Sequence, residues 1–319
     1  MKMAALLGVV AGTALTVAAL VISGAPTASA DAGPHVATGS DATPDKCASC
    51  HRIHTGQNEY LLKEAGTIED FCYSCHGNGG PGSDLAVQEG KYYGFGSGPP
   101  YGGKITYGAL RGGGFETALI DTDDPTPDFI GTLATGETTQ SWHTIDGTTS
   151  GTLWGNGALG TPGAGLSYTL DCASCHDPHG NGQYRILRPI PAGSGAAAAN
   201  VTDQPNPKSY RATNYLSMGA DVSLTQISSW CATCHTRYRA TSILTTGDAI
   251  YTYRHRSDGS SNRACITCHA SHGTNALMPG AYSSTVEWPG GGVGTTDNNN
   301  SRLLKMNNRG ICLKCHTEY

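Results

Sequence analysis

Apolar residues crowd into one stretch of this chain and are thin everywhere else. Residues 4 to 22 are predominantly apolar, Lys2 precedes them, and Ala28-Ser29-Ala30 follows just ahead of Asp31. A basic start, an apolar run and a small-residue site predict a secretory signal peptide over 1–30, cut after Ala30. An uncleaved membrane anchor is the competing reading, because the run is long enough to span. No cysteine precedes Cys47, which argues against a lipid-anchored amino terminus, and no other stretch approaches the length of a spanning helix.

Beyond residue 30, Leu, Ile, Val and Phe supply only 41 of 289 residues, or about 14%. A chain below about 20% struggles to bury a core of its own. The pattern predicts short helical turns, few strands and much irregular chain. Residues 77 to 116 are Gly-rich with interleaved Tyr and read as loop; 132 to 165, with Trp142 and Trp154, suit short hairpins. The runs at 191–208 and 289–300 read as irregular. What apolar signal remains is periodic on a longer scale. Leu61-Leu62-Lys63, Ile186-Leu187-Arg188 and Leu303-Leu304-Lys305 recur, as do the single large residues Phe71, Trp230 and Ile311.

Those signals flank a repeated motif. Cys-x-x-Cys-His occurs as Cys47, Cys50 and His51; Cys72, Cys75 and His76; Cys172, Cys175 and His176; Cys231, Cys234 and His235; Cys265, Cys268 and His269; and Cys312, Cys315 and His316. Together these use all 12 cysteines. Two thiols on one helical turn can reach the two vinyl groups of one porphyrin, and the adjacent imidazole then lies under the iron. Zinc and dithiol readings do not require the histidine. With 12 His in 319 residues, six matches by chance would occur on the order of one time in a billion. Six covalently bound haem c groups are therefore expected, and their apolar faces would supply the core that the side chains lack. The net charge of −5, or −6 without Lys2, is too modest for disorder and of the wrong sign for nucleic acid or an acidic membrane surface.

The motifs pair into three repeats, giving expected units 31–135, 136–245 and 246–319 after the signal segment. The first motif of each pair extends to Cys-x-x-Cys-His-x-x-His, ending at His54, His179 and His272; the second never does. The remaining histidines, His35, His143 and His255, lie one upstream of each pair. Six proximal histidines thus face a supply of six candidate distal ligands: His35, His54, His143, His179, His255 and His272. A histidine three residues after a proximal ligand shares its helix face. It cannot reach the far side of the same porphyrin, so it should serve a different haem. Met218, Met278 and Met306 follow no repeat and read as packing residues.

This paired arrangement, from His35 to His316, resembles the doubled-CxxCH multihaem cytochromes c, including subunits of extracellular cytochrome filaments. The resemblance implies a multihaem cytochrome c fold: mostly irregular chain, short helices at the motifs, few short strands, and a core of stacked haems. It also implies low-spin bis-His haems that conduct electrons. The insertion between Gly77 and Leu170 departs from the pattern. Electron transfer without bond-making chemistry is the expected function, since bis-His ligation leaves no open iron position. An oxyanion reductase is the rival, and would need a Lys in place of one motif His or a missing distal ligand; neither is seen. Expected partners are other redox proteins or extracellular electron acceptors, with self-polymerisation or a soluble monomeric carrier both open. The expected location is secreted, extracellular or cell-surface, and periplasmic where an outer membrane exists.

Overall fold

Each repeat closes on itself through the same small knot of backbone hydrogen bonds. In this computed structural model, the described residues are 34–35, 43–78, 83–95, 104–119, 137–153, 155–157, 167–191, 197–202, 225–238, 248, 264–278 and 301–314. The expected signal segment, His255, Cys315 and His316 lie outside them, as does Met218.

The knot joins the first motif of a pair to the recurring apolar element. Single bridges form at His51 and Leu62, His176 and Leu187, and His269 and Leu304. The N–H groups of Lys63, Arg188 and Lys305 donate to the carbonyls of Cys50, Cys175 and Cys268 at 2.9, 2.8 and 3.0 Å. Those of Arg52, Asp177 and Ala270 donate to Leu61, Ile186 and Leu303 at 2.7, 2.7 and 2.8 Å. To turn so sharply, Leu61, Ile186 and Leu303 take φ of 56°, 53° and 63°. A left-handed conformation costs a branched residue roughly 1–2 kcal/mol. The same cost recurs at the same place in three repeats.

Helices are brief: α1 (Pro44–Ala48), α2 (Ile68–His76), α3 (Cys172–Cys175), α4 (Thr225–Cys231) and α5 (Cys265–Cys268). A capping box starts α2. Asp70 N–H donates to Thr67 Oγ1 at 3.1 Å, and Thr67 N–H donates to Asp70 Oδ2 at 3.0 Å. Asp171 and Ser174 exchange the same two bonds at the start of α3. Helix α2 packs on α3 and α4 on α5, so the second motif of one repeat touches the first motif of the next.

Short strands fill the spacers of the described residues: β1 (Leu85–Ala86), β2 (Lys91–Phe95), β3 (Lys104–Ala109), β4 (Thr117–Ala118), β5 (Glu137–Thr138), β6 (Ser141–Trp142), β7 (Ser150–Thr152), β8 (Ser167–Thr169) and β9 (Gly273–Thr274). They form antiparallel groups β1-β2-β3, β4-β5, β6-β9 and β7-β8. In the stretch 132–165, where short hairpins are expected, β7 pairs with β8 just past residue 165, whereas β5 and β6 pair with β4 and β9. The Gly/Tyr-rich stretch departs from its loop reading, because it carries the three-stranded sheet, with a register shift between Tyr92 and Tyr93. Tyr, Phe, Ile and Thr favour extended chain, and here that preference outweighs the glycines between them.

The side-chain core is small. Leu187, Val201, Ile227, Ala264 and Ile266 cluster with Tyr184, Trp230 and Cys231 against them. Trp230 Nε1–H also donates to the Arg188 carbonyl at 2.6 Å. Arg237 and Asp248 form a buried two-point ion pair at 2.7 and 3.1 Å. Met278 and Met306 are buried, as expected of packing residues.

Candidate functional site

Four pairs of imidazoles face each other across gaps of the same width. All described motifs sit in or at the end of a helical turn, which puts both thiols of a motif on one face. Cys47, Cys50, Cys72, Cys75, Cys172, Cys175, Cys231, Cys234, Cys265, Cys268 and Cys312 are free thiols rather than disulfides. The motif histidine closes the turn. The N–H groups of His51, His176, His235 and His269 donate to the first Cys carbonyl of their motifs at 2.9, 3.0, 3.0 and 3.0 Å.

The thiols also meet across motifs, which the sequence reading did not anticipate. Cys75 was expected only as the partner of Cys72 on one porphyrin. In the structure its charge also reaches Cys50 of the first motif, and Ser74 Oγ–H points at its sulfur at 4.0 Å. Burial first, and then the charge of a Cys75 thiolate, push the Cys50 thiol up. In the second repeat burial and then the charge of Cys234 push Cys175 up to about 12. Thr233 Oγ1–H points at Cys234 at 4.0 Å, as Ser74 does at Cys75. Between repeats, the thiols of Cys72 and Cys172 are hydrogen-bonded, as are those of Cys231 and Cys265. The physical reason is close packing of successive motifs, a tertiary contact that the spacing within a motif does not encode.

The histidine rings are held by backbone. His51, His76, His176 and His269 each present Nδ1 to a carbonyl, those of Tyr60, Leu85, Arg185 and Arg302, at 2.9, 3.2, 2.9 and 3.0 Å. A carbonyl only accepts, so Nδ1 carries the proton and Nε2 keeps its lone pair. This is the arrangement that orients a metal-binding histidine. Burial pushes His143 down to about 4 and His272 down to about 3, and it lowers His176 as well. These rings are neutral at neutral pH, as ligation requires.

The facing pairs are His35 with His76, His51 with His179, His143 with His235, and His176 with His272. Their ring centres are 6.1, 6.2, 6.3 and 6.4 Å apart. Two imidazoles bound to one iron from opposite sides through Nε2 would have ring centres about 6.2 Å apart, given Fe–N bonds of about 2.0 Å and about 1.1 Å from Nε2 to the ring centre. The residues fit a haem iron in all four places.

The pairing follows a rule. His179 and His272, each three residues beyond a motif histidine, face the first motif of the preceding repeat rather than their own. His35 and His143, upstream of their pairs, face the second motif of their own repeat. Both of these anchor Nδ1 on the following repeat, His35 on the Pro178 carbonyl at 2.7 Å and His143 on that of Ser271 at 2.8 Å. His54 is exposed, and no described ring faces it or His269. His255 and His316 lie outside the described residues.

Several supports had no signal in the sequence. Gly112 accepts the N–H of His272 at 2.7 Å, and a Cβ there would come within 2.9 Å of the His272 ring. The β6-β9 pairing brings His143 N–H to the His272 carbonyl at 3.0 Å. Backbone acceptors carry no side-chain signature. Only the nine-residue interval from His51 to Tyr60, repeated from His76 to Leu85 and His176 to Arg185, could have hinted at them.

Residues 40–80, which hold the first two motifs, match the family model described as doubled CXXCH motif. No curated protein matches the chain, and no solved structure does. The doubled motif at those residues suggests a haem-binding c-type cytochrome electron carrier. Covalently attached haem c is the cofactor that its motifs indicate.

Proposed function

We propose that the chain is an exported cytochrome carrying six haem c groups, each bound by two imidazoles, and that it conducts electrons along itself without bond-making chemistry. The observation that carries this reading is the set of four imidazole pairs spaced 6.1–6.4 Å apart. When bound, the haems supply one-electron exchange. The chain supplies everything else. Paired cysteines tether each porphyrin, and the histidine pairs His51/His179, His76/His35, His176/His272 and His235/His143 close both axial positions. His269 and His316 complete the proximal set, with His54 and His255 the distal candidates left over.

Closing both positions excludes substrate and holds each iron in nearly the same geometry in either oxidation state. Imidazole pairs also favour low reduction potentials relative to Met/His. Contact between successive motifs supports a zigzag order, with each cofactor next to the one before it in sequence. A filament that continues this order from copy to copy is the assembled form we favour over a soluble carrier. The partners are other redox proteins or extracellular electron acceptors. Export rests on residues 1–30.

Mass spectrometry of the purified secreted protein, combined with near-infrared magnetic circular dichroism of the ferric state, tests the reading. Six haems per chain, all low-spin bis-His, are expected. Fewer attached haems would defeat it, as would several high-spin irons open to nitrite or cyanide, which would favour the reductase.

A further inference from the structure

The recurring apolar element ends each time in a basic residue, Lys63, Arg188 or Lys305. The backbone lock uses only the N–H of that residue, yet in two repeats the side chain is committed as well. Arg188 is partly buried, and its Nε–H donates to the carbonyls of Ala173 at 2.6 Å and His176 at 3.1 Å. Lys305 is 0% exposed, and its Nζ donates to the Ile266 carbonyl. Ala173 and Ile266 hold the same place, directly after the first cysteine of a first motif. The cation is drawn into the motif turn by the same carbonyl in both repeats.

Backbone carbonyls hold a cation without cancelling its charge. Asp171, at the start of the second repeat's turn, is engaged in capping it, accepting from Ser174 N–H and Oγ–H at 2.7 and 2.8 Å. The third repeat has Ala264 in that position. Charge is arranged differently beside the second motif of the second repeat. Arg237, two residues beyond His235, meets Asp248 at 2.7 and 3.1 Å, and both are buried. As a unit that pair is close to neutral.

We infer that Arg188 and Lys305 set the reduction potentials of the haems on the Cys172–His176 and Cys265–His269 turns, raising both. This rests on the six-haem reading above. A fixed positive charge opposes the ferric state, which carries one more positive charge than the ferrous, so an electron is taken up more readily beside it. Unit charges about 10 Å apart, at an effective permittivity of about 20, change an equilibrium about tenfold or more. In the second repeat the electron therefore rests on the first-motif haem ahead of the second-motif haem, whose flanking guanidinium is matched by a carboxylate.

Potentiometric titration of the secreted holoprotein, followed in the haem absorption bands, tests this with Arg188→Gln and Lys305→Gln. Glutamine keeps an N–H donor and drops the charge. Each variant should move one haem of six to lower potential while all haems stay low-spin. At fixed solution potential the reduced-to-oxidised ratio of that haem should fall about tenfold, which is about 59 mV for one electron. Arg188→Lys keeps the charge and should titrate like wild type. In the Cys172→Ala/Cys175→Ala background the Arg188→Gln shift should vanish, and that background should lose a higher-potential component than Cys231→Ala/Cys234→Ala does. Should Arg188→Gln lose its low-spin spectrum, Asp171→Asn reads the same field from the other end of the turn, and should move the same haem to higher potential. The inference is overturned if the Gln variants titrate like wild type, if Arg188→Lys shifts as far as Arg188→Gln, if the shift survives loss of the Cys172–His176 haem, or if Asp171→Asn moves nothing. Failure of the six-haem reading would appear instead as fewer attached haems in wild type.

Discussion

Replacing His179 by Ala should open one haem, and it should be the haem of the first motif rather than that of its own. His179 sits three residues beyond His176, but its ring lies 6.2 Å from that of His51 with an interplanar angle of 3°. Its side chain is 74% exposed, and it makes a 3.4 Å approach to Asp177. An exposed side chain carries little protein packing, so a spectral change with an unaltered far-UV circular dichroism spectrum would report lost ligation rather than unfolding. The loss should be one axial imidazole of twelve, seen as one-sixth of the haem becoming high-spin. The assay is magnetic circular dichroism of ferric His179→Ala in two further backgrounds. In Cys47→Ala/Cys50→Ala, which lacks the first haem, the high-spin signal should vanish. In Cys172→Ala/Cys175→Ala it should persist. The reverse pattern, or an unchanged low-spin spectrum, would refute the assignment.

Other consequences follow from single contacts. Gly112→Ala would put a methyl within 2.9 Å of the His272 ring; a high-spin fraction is expected at the third motif's haem, and an unperturbed spectrum would show that the loop yields instead. Asp248→Ala removes the carboxylate that pairs with the buried Arg237 guanidinium and should cost roughly 3–5 kcal/mol in denaturant melts; a loss below about 1 kcal/mol would mean the ion pair is dispensable. The haem-free chain, with its few buried apolar side chains, should show no cooperative melt; a compact apoprotein would argue that the cofactors are not its core.

The cofactor chemistry was legible because it is local: Cys, Cys and His within five residues need only one turn of helix. The recurring Leu-Leu-Lys element was legible as a repeat, and the structure gives it a task, locking the motif histidine through a left-handed residue. The rule that His179 and His272 serve another motif came from the geometry of a helix face alone. Which motif they serve did not, because that depends on repeats docking across 128 residues for His179 and 96 for His272. The contacts of Cys72 with Cys172 and of Cys231 with Cys265 were hidden for the same reason, since they join motifs rather than lie within one. His143 illustrates a different limit. It is positioned by a strand pair of two residues each, too short for any periodicity to announce. The sheet around Tyr92 and Tyr93 was missed because abundant glycine masked an extended preference carried by the aromatic and β-branched residues between.

The most direct test is a cryo-electron structure of the secreted holoprotein with the irons resolved. The account requires iron midway between His51 and His179, His76 and His35, His176 and His272, and His235 and His143. Iron bound on one side only at any of these, or clasped by a different set of histidines, would contradict it.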